Sequence, residues 1–569
     1  MADLRRAGWR HAALVALGSV AVAALAHRAA DRGWESVVRY GPPFHFADAD
    51  AAPGPRVTHR VVLVVVDGLR LDRSRELKFL NQLRVQGADF DCLAGVPSYS
   101  RPGRATLATG AWPEVHGVTS NRHTGVIPID NLFRSSRRVG DGVAVAGSDI
   151  WRSLFAPDLE GATVVESMVR EERGAFPRVE PRMQNFERDA ARRMAASEAR
   201  LTVLDLVVPD YAAHEFGARS PQYVRACLEA DRTLGLLVAD LNLYTATLVV
   251  TADHGHIDGG GHGGVEPEVL QVPLVIVGRG IRPGFMGTAR QVDVAPTIAG
   301  LLGLPIPAGT EGRPLIEAFD TKDENLRGVA ARGLAEKNAF ARQYISELGG
   351  PPAPAVERPP GDVSAALSAM ASVDAGVTRA EDARSERERA GRLPWAVGAL
   401  VILLLGSVWA IRFCGWAGAV AAGASAVAGE GLFRLFAHAH GLGFSISVIN
   451  HDEDLERYFA RVFVLEGAAA LGCVASALLS ARSFGRGGAA LALLGLAAAI
   501  GAACEPALVV ARVYWDQGLE MTWRVGNLAD GFAASVALAR LQAVGVVGAL
   551  APILAWLTRP AGTPRSPAP

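Results

Sequence analysis

From Trp395 onward the chain is dominated by apolar runs, at about 395–411, 414–436, 458–481, 487–512 and 532–557. Each approaches the roughly 20 residues an α-helix needs to cross a bilayer. The runs are rich in Gly and Ala, the small residues that let membrane helices pack closely, so an apolar soluble helical domain is the weaker reading. A further uncharged run, His11 to Ala26, lies behind Arg5, Arg6 and Arg10. Its Ala24-Leu25-Ala26 looks like a signal-peptidase site, and a cleaved signal and a retained anchor both fit. In either case the segment that follows is exported, because basic residues before the first apolar run stay inside. The connections holding Arg412, Arg482–Arg486 and Arg559 then also fall inside, and the loops His438–Glu456 and Tyr514–Asp530 fall outside.

The charge excludes one class of function. With 57 Lys+Arg against 58 Asp+Glu, the net charge is −1, and no basic surplus exists for a nucleic-acid surface. Five Cys make no disulfide framework, and Cys414, Cys473 and Cys504 lie in apolar runs, leaving Cys92 and Cys227. The expected organisation is an anchor or signal at 1–30, a linker at 31–56 and a catalytic domain at 57–317. A juxtamembrane linker follows at 318–394, with a Pro-rich break at Gly350–Pro354 and a charged stretch from Ala380 to Arg392. About five transmembrane helices at 395–557 and a tail at 558–569 complete it.

Between the membrane segments the pattern is α/β. Arg60 to Val66 is a continuous β-branched run, as in a central strand buried on both faces, and it stops at Asp67-Gly68. Leu201 to Val208 stops at Pro209-Asp210, and Ala246 to Thr251 leads into Asp253-His254-Gly255. Helical patterns such as Ser220 to Leu241 lie between, which predicts a mostly parallel central sheet flanked by helices. Ligands of such sheets bind beyond the carboxyl ends of the strands. A single Asp there is equally a helix cap or turn starter. Three acidic strand ends, two of them followed by His, exceed what capping explains.

Together these ends supply Asp67, Asp210, His214, Asp253 and His254, and the Gly-rich loop Asp258–Gly264 adds His262. Mixed Asp/His shells suit zinc, and six donors suffice for two divalent ions. Asp210 and His214 are four apart, so one turn of helix points both the same way. Any one of these residues taken alone reads as structural; the set reads as a metal centre.

A nucleophile is offered by Pro97-Ser98-Tyr99-Ser100-Arg101-Pro102-Gly103-Arg104. Pro102 fits the first turn of a helix beginning at Ser100 or Arg101. A hydroxyl there sits among free N–H groups that favour a phosphate, while the competing role is a plain N-cap. Nearby divalent ions favour the nucleophile. Arg101 and Arg104 are candidates for the non-bridging phosphate oxygens. His116 and Asn121 are candidate pocket residues, and His256 is a polar or shuttle candidate.

These motifs resemble the alkaline phosphatase superfamily over about Val61 to Pro314. Within it they look like the glycosylphosphatidylinositol ethanolamine phosphate transferases, with the nucleotide pyrophosphatase/phosphodiesterases next. The carrying residues are Asp67-Gly68-Leu69-Arg70-Leu71-Asp72, Pro97 to Gly103, Ser148-Asp149-Ile150, and Thr251 to Gly255 followed by His262-Gly263. Asp293 to Thr297 and Gly303 to Pro307 add to them. The resemblance implies one zinc on Asp210, His214 and His262, a second on Asp67, Asp253 and His254, and Ser100 as nucleophile. The chain departs from the family at Arg104, where His often stands, and in its shorter membrane part.

The expected function is therefore membrane-bound transfer of phosphoethanolamine, or a similar head group, through a phospho-serine. A phospholipid would be donor and a lipid-linked or surface glycan acceptor, on the extracytoplasmic side. The alternative is a phosphodiesterase with water as acceptor. Ser100-x-Pro102-x-Arg104 also matches the sulfatase formylglycine pattern, a third reading that the His-rich shell disfavours. A degenerate domain kept as a scaffold would be missing a ligand, and none of the six is missing.

Overall fold

The computed structural model describes residues 2–46, 52–167, 176–351, 362–451, 454–483 and 488–558. Asp452, Glu453, Arg486, Arg559 and Pro352–Pro354, which figure in the topology and linker expectations, lie outside the described residues.

The β-branched runs form strands because both of their faces are covered. One eight-stranded sheet has the order β4-β3-β5-β1-β6-β7-β2-β8. At its centre β1 (Arg60–Val66) is paired in parallel with β5 (Leu201–Leu206) on one side and β6 (Ala246–Thr251) on the other. The registers Val66↔Leu206 and Val65↔Thr251 bring the three carboxyl ends level. The edges are β3 (Val143–Gly147) and β4 (Thr163–Glu166) on one side, and β7 (Gln271–Gly278), β2 (Ala88–Leu93) and β8 (Phe285–Arg290) on the other. Only β7 runs antiparallel to its neighbours, so the sheet is mixed but mostly parallel, as expected. Strand β5 stops at Leu206, two residues short of the apolar run. Val208 already belongs to the next helix, where Pro209 is favoured in the first turn.

Membrane-length helices account for the rest of the chain. Helix α1 (Ala2–Val38) precedes the sheet. Four follow it: α8 (Trp416–Ala439), α9 (Asp454–Ser483), α10 (Gly488–Asp516) and α11 (Leu528–Thr558). With the second half of α7 (Val363–Cys414) they give, among the described residues, six helices long and apolar enough to span a bilayer. Large side chains such as Leu17, Ile402, Leu404, Trp416, Val427 and Leu557 stand exposed on them. Apolar belts of that extent belong in lipid, and the protein is an integral membrane protein. Helix α1 packs on α11, with Ala12 and Ala26 buried. Inside the bundle Arg540 bonds Glu466 at 2.7 Å and Glu430 at 2.6 Å and pairs with Glu505, tying α8 to α11 together.

The expected linker at 318–394 takes a different form. Helix α6 (Asp323–Glu347) and the first half of α7 pack on the core of the sheet domain through Val329, Phe340, Tyr344, Met370 and Val377. Lys337 is buried there, its Nζ donating to the Glu311 carbonyl at 2.5 Å and pairing with Asp374. The high charge of this stretch conceals an apolar stripe at helical spacing.

Helix α3 (Phe176–Ala196) covers β5 and buries Glu187, whose Oε1 accepts from Val207 N–H at 2.7 Å and Val208 N–H at 3.0 Å. Burial pushes this carboxyl up to about 8, against those two hydrogen bonds. A carboxyl raised on folding stabilises fully below its unfolded value, and that contribution is lost as pH rises through the folded one. Glu187→Gln keeps the acceptor oxygen and does not titrate. In thermal melts it is expected to match the wild type near pH 5 and to melt above it near pH 9.

Candidate active site

The three level strand ends converge with one helix start. Asp67 follows β1, Asp253 and His254 follow β6, and Asp210 and His214 lie on α4 (Val208–Phe216) after β5. Helix α2 (Ser100–Thr109) begins at Ser100 and points its amino terminus at the same place. It approaches closely because residue 103 is glycine: a Cβ there would meet Asp253 Cβ and its carbonyl oxygen at 2.9 Å. The cap position belongs to Tyr99, which makes no side-chain cap bond. Ser100 Oγ is instead 3.1 Å from His254 Nε2. Its geometry is that of a site hydroxyl, not an N-cap.

All six expected ligands come together in two sets, Asp210/His214/His262 and Asp67/Asp253/His254, with donor atoms in each set within 4.8 Å of one another. The sets adjoin, since the His254 and His262 rings stack at 3.7 Å. Each imidazole has its Nδ1 held by an oxygen: His254 by Gly255 O at 3.1 Å, His262 by Ser98 O at 2.8 Å, His214 by Asn450 Oδ1 at 2.6 Å. An Nδ1–H donated outward leaves each Nε2 lone pair facing inward, as histidine ligands of metals are held. Burial pushes His262 well below the usual imidazole range, so its ring is neutral and available.

The donor chemistry fits divalent cations. Asp67 Oδ1 is buried and accepts no hydrogen bond among the described residues, and Asp210 Oδ1 meets only histidine nitrogens, His256 Nε2 at 3.0 Å and His214 Nε2 at 3.4 Å. Buried acceptors without donors are costly unless a cation meets them. Asp67, Asp205 and Asp253 are buried around one buried guanidinium, Arg104, and Asp210 is buried among His214, His256 and His262. Burial raises Asp67 well above the carboxylate range and raises Asp205 too, although Arg104 opposes both shifts. Two divalent ions would convert this deficit to a single positive charge, which suits a phosphodiester monoanion.

The remaining candidates occupy different places. Arg104 is fully buried beneath the site rather than open to a phosphate. Its guanidinium donates to Asp67 Oδ2 at 2.6 Å, Asp253 Oδ2 at 2.7 Å and both oxygens of Asp205 at 3.0 and 3.1 Å. That uses the planar fork on carboxylates and corrects the phosphate-binding expectation for this residue. His256 is likewise fully buried, its Nε2 3.0 Å from Asp210 Oδ1, so a direct substrate contact is not its position. Burial pushes it down to about 4. His116 lies in the core, bonded to Thr106 Oγ1 and Val118 N–H, and does not line the site. Asn121 and Arg101 stand beside Ser100: Asn121 Oδ1 accepts from Arg101 N–H at 3.0 Å, and Arg101 Nη1 donates to Ser153 Oγ at 2.6 Å.

Two residues of the site were not anticipated. Asp205 is an acid inside an apolar strand, an outlier in Leu201–Leu206 that could have flagged it. Asn450 comes from the loop between α8 and α9 and carries no local signal.

Residues 61–268 match the family described as Type I phosphodiesterase / nucleotide pyrophosphatase. The chain is 25% identical over 288 residues to "GPI ethanolamine phosphate transferase 2" of Aspergillus fumigatus, covering 45% of this chain and 37% of that protein. It is 26% identical over 325 residues to the human "GPI ethanolamine phosphate transferase 3, catalytic subunit", covering 51% of this chain and 28% of that one. The chain thus spans about a third of the length of these relatives. Among solved structures, murine ectonucleotide pyrophosphatase / phosphodiesterase 5 in complex with AMP aligns over 44% of this chain and 96% of that one, at 15% identity and a TM-score of 0.34. The family match over residues 61–268 and the similarity to ethanolamine phosphate transferases bear out the resemblance drawn from the motifs.

Arg104→Leu leaves three buried carboxylates facing one another. The expected loss is about 3–5 kcal/mol of stability, typical of removing one partner from a buried ion pair. Denaturation with and without added Zn²⁺ checks it, and the added ion should recover part of the loss.

Proposed function

We propose that the protein is a two-metal phosphotransferase that moves phosphoethanolamine, or a similar diester head group, from a phospholipid to a lipid-linked or surface glycan. The observation that carries this reading is the 3.1 Å separation of Ser100 Oγ from Nε2 of His254, which belongs to one of two adjacent Asp/His sets. The similarity to ethanolamine phosphate transferases supports the choice of group, and the membrane helices support a lipid donor.

On this reading Asp210, His214 and His262 hold one zinc, and Asp67, Asp253 and His254 hold the other. When bound, such ions supply positive charge for the attacking and leaving oxygens of an in-line displacement. Ser100 Oγ forms a bond to phosphorus while the bond from phosphorus to the donor's alcohol breaks, and the alcohol leaves with the serine's proton. The acceptor hydroxyl then displaces Ser100 from phosphorus and returns a proton to Oγ. The positive end of the α2 dipole favours the phosphoryl oxygens, and Arg101 and Asn121 flank it. The positive-inside pattern supports an extracytoplasmic site. With water in the second step the same residues make a phosphodiesterase, which is the second reading.

Purified protein incubated with phosphatidylethanolamine and quenched in acid should yield a Ser100 peptide heavier by one phosphoethanolamine group. The adduct should be absent in Ser100→Ala. An unmodified serine would redirect the search to nucleotide and other diesters, and a formylglycine mass would replace the reading with a sulfatase.

A further inference from the structure

The loop between α8 and α9 belongs to the membrane bundle, yet it ends against one of the two ligand sets. Its apolar residues Leu442, Ile446 and Ile449 pack into the bundle with Phe433, Ala437 and Tyr458. Two hydrogen bonds stiffen it, from Leu442 N–H to Ala437 O at 2.8 Å and from Tyr458 Oη to Gly443 O at 2.7 Å. The loop's polar residues Ser445, Ser447 and Asn450 face the sheet domain.

Asn450 grips α4 at both ends of its amide. Its Oδ1 lies 2.6 Å from His214 Nδ1, and its Nδ2 donates to the His214 carbonyl oxygen at 2.5 Å. The second bond fixes which end of the amide is oxygen, so Nδ1 of His214 must carry the proton. That tautomer directs the Nε2 lone pair toward Asp210 Oδ1 at 3.4 Å and His262 Nε2 at 3.1 Å. The His451 ring stacks on His214 with centroids 5.3 Å apart.

The same loop braces the segment carrying His262. Ser447 Oγ accepts from Gly264 N–H at 2.9 Å and donates to Glu266 Oε2 at 2.7 Å, and Ser445 also bonds Glu266. A Cβ on residue 261 would lie 1.9 Å from Ser447 O, so the Gly-rich loop is glycine where the bundle presses on it. The other set, Asp67/Asp253/His254, has its histidine anchored within the sheet domain, on Gly255 O.

We propose that Asn450 is a positioning residue for His214. By holding the ring's tautomer and direction, the bundle's outer loop sets the metal affinity of the Asp210/His214/His262 set and leaves the other set unaffected. This inference rests on the two-metal reading above. Loss of an outer hydrogen-bond partner to a ligating histidine typically costs about 10–100-fold in metal affinity.

The test uses the full-length protein in detergent, loaded with Zn²⁺ and dialysed against graded chelator, with metal content read by mass spectrometry. Wild type should hold two ions, and Asn450→Leu should release one of them at about 10–100-fold lower chelator strength while keeping the other. Asn450→Asp, which retains the acceptor for Nδ1–H but loses the donation to the His214 carbonyl, should hold the ion more tightly than Asn450→Leu. Identical release curves for wild type and Asn450→Leu would overturn the proposal. So would an equal fall in the melting temperature of the metal-free and metal-loaded Asn450→Leu protein, since that marks a merely structural residue. A wild type that holds no ion under any condition defeats the two-metal reading itself, a separate outcome.

Discussion

Negative charge buried at the ends of three adjacent parallel strands is the constraint around which this protein is arranged. Parallel pairing of β5, β1 and β6 in level register makes Asp67, Asp205 and Asp253 neighbours beneath a covered surface. Water cannot screen them there, and one guanidinium shared among them does not balance them. The remainder of the site answers that imbalance. Histidine lone pairs are turned inward by carbonyl and amide oxygens behind them, and a helix start brings the positive end of its dipole to the same point. Divalent cations would complete such an arrangement, and on the proposed function a phosphodiester is the anion that then matches it.

Arg104 illustrates how the same chemistry can be used in an unexpected direction. An arginine one turn into a helix that presents a nucleophile looks like a phosphate clamp. Here the helix is pressed so closely to Asp253, through Gly103, that the side chain passes beneath the carboxylates. It stabilises the ligands' charge from below and leaves the face toward substrate to other groups. The arginine therefore supports the carboxylates of Asp67, Asp205 and Asp253 rather than facing outward.

Much of this was legible in the sequence because the information is local. A β-branched run that ends at Asp-Gly is recognisable over eight residues, and two ligands four apart on a helix declare their common direction. The long apolar runs report their surroundings without any partner at all. What stayed hidden depends on distant segments. The helices at 323–347 and 363–394 read as a charged linker, because the surface they cover is made by residues far upstream. Arg104 could be seen as a cation, but its partners lie up to 149 residues away. Asn450 is 236 residues from the histidine it holds, and a polar residue in the loop between α8 and α9 has no periodicity to betray it.

Transfer and hydrolysis share their first step, so the ligand set and Ser100 cannot by themselves choose between them. The choice falls at the second step, where an acceptor hydroxyl competes with water for the phosphoryl group. It must be made by the walls around the serine, which admit one and restrict the other. In this chain two parts of the sequence meet at the candidate site. The sheet domain supplies the strand ends and the start of α2. The bundle supplies a loop whose apolar side is locked among membrane helices and whose polar side reaches the His214 and His262 segments. A hydrolase of soluble diesters would need no such contact. A site that draws one substrate from the bilayer gains from it, because the geometry of the ligands is then tied to the part of the protein that lies in the lipid.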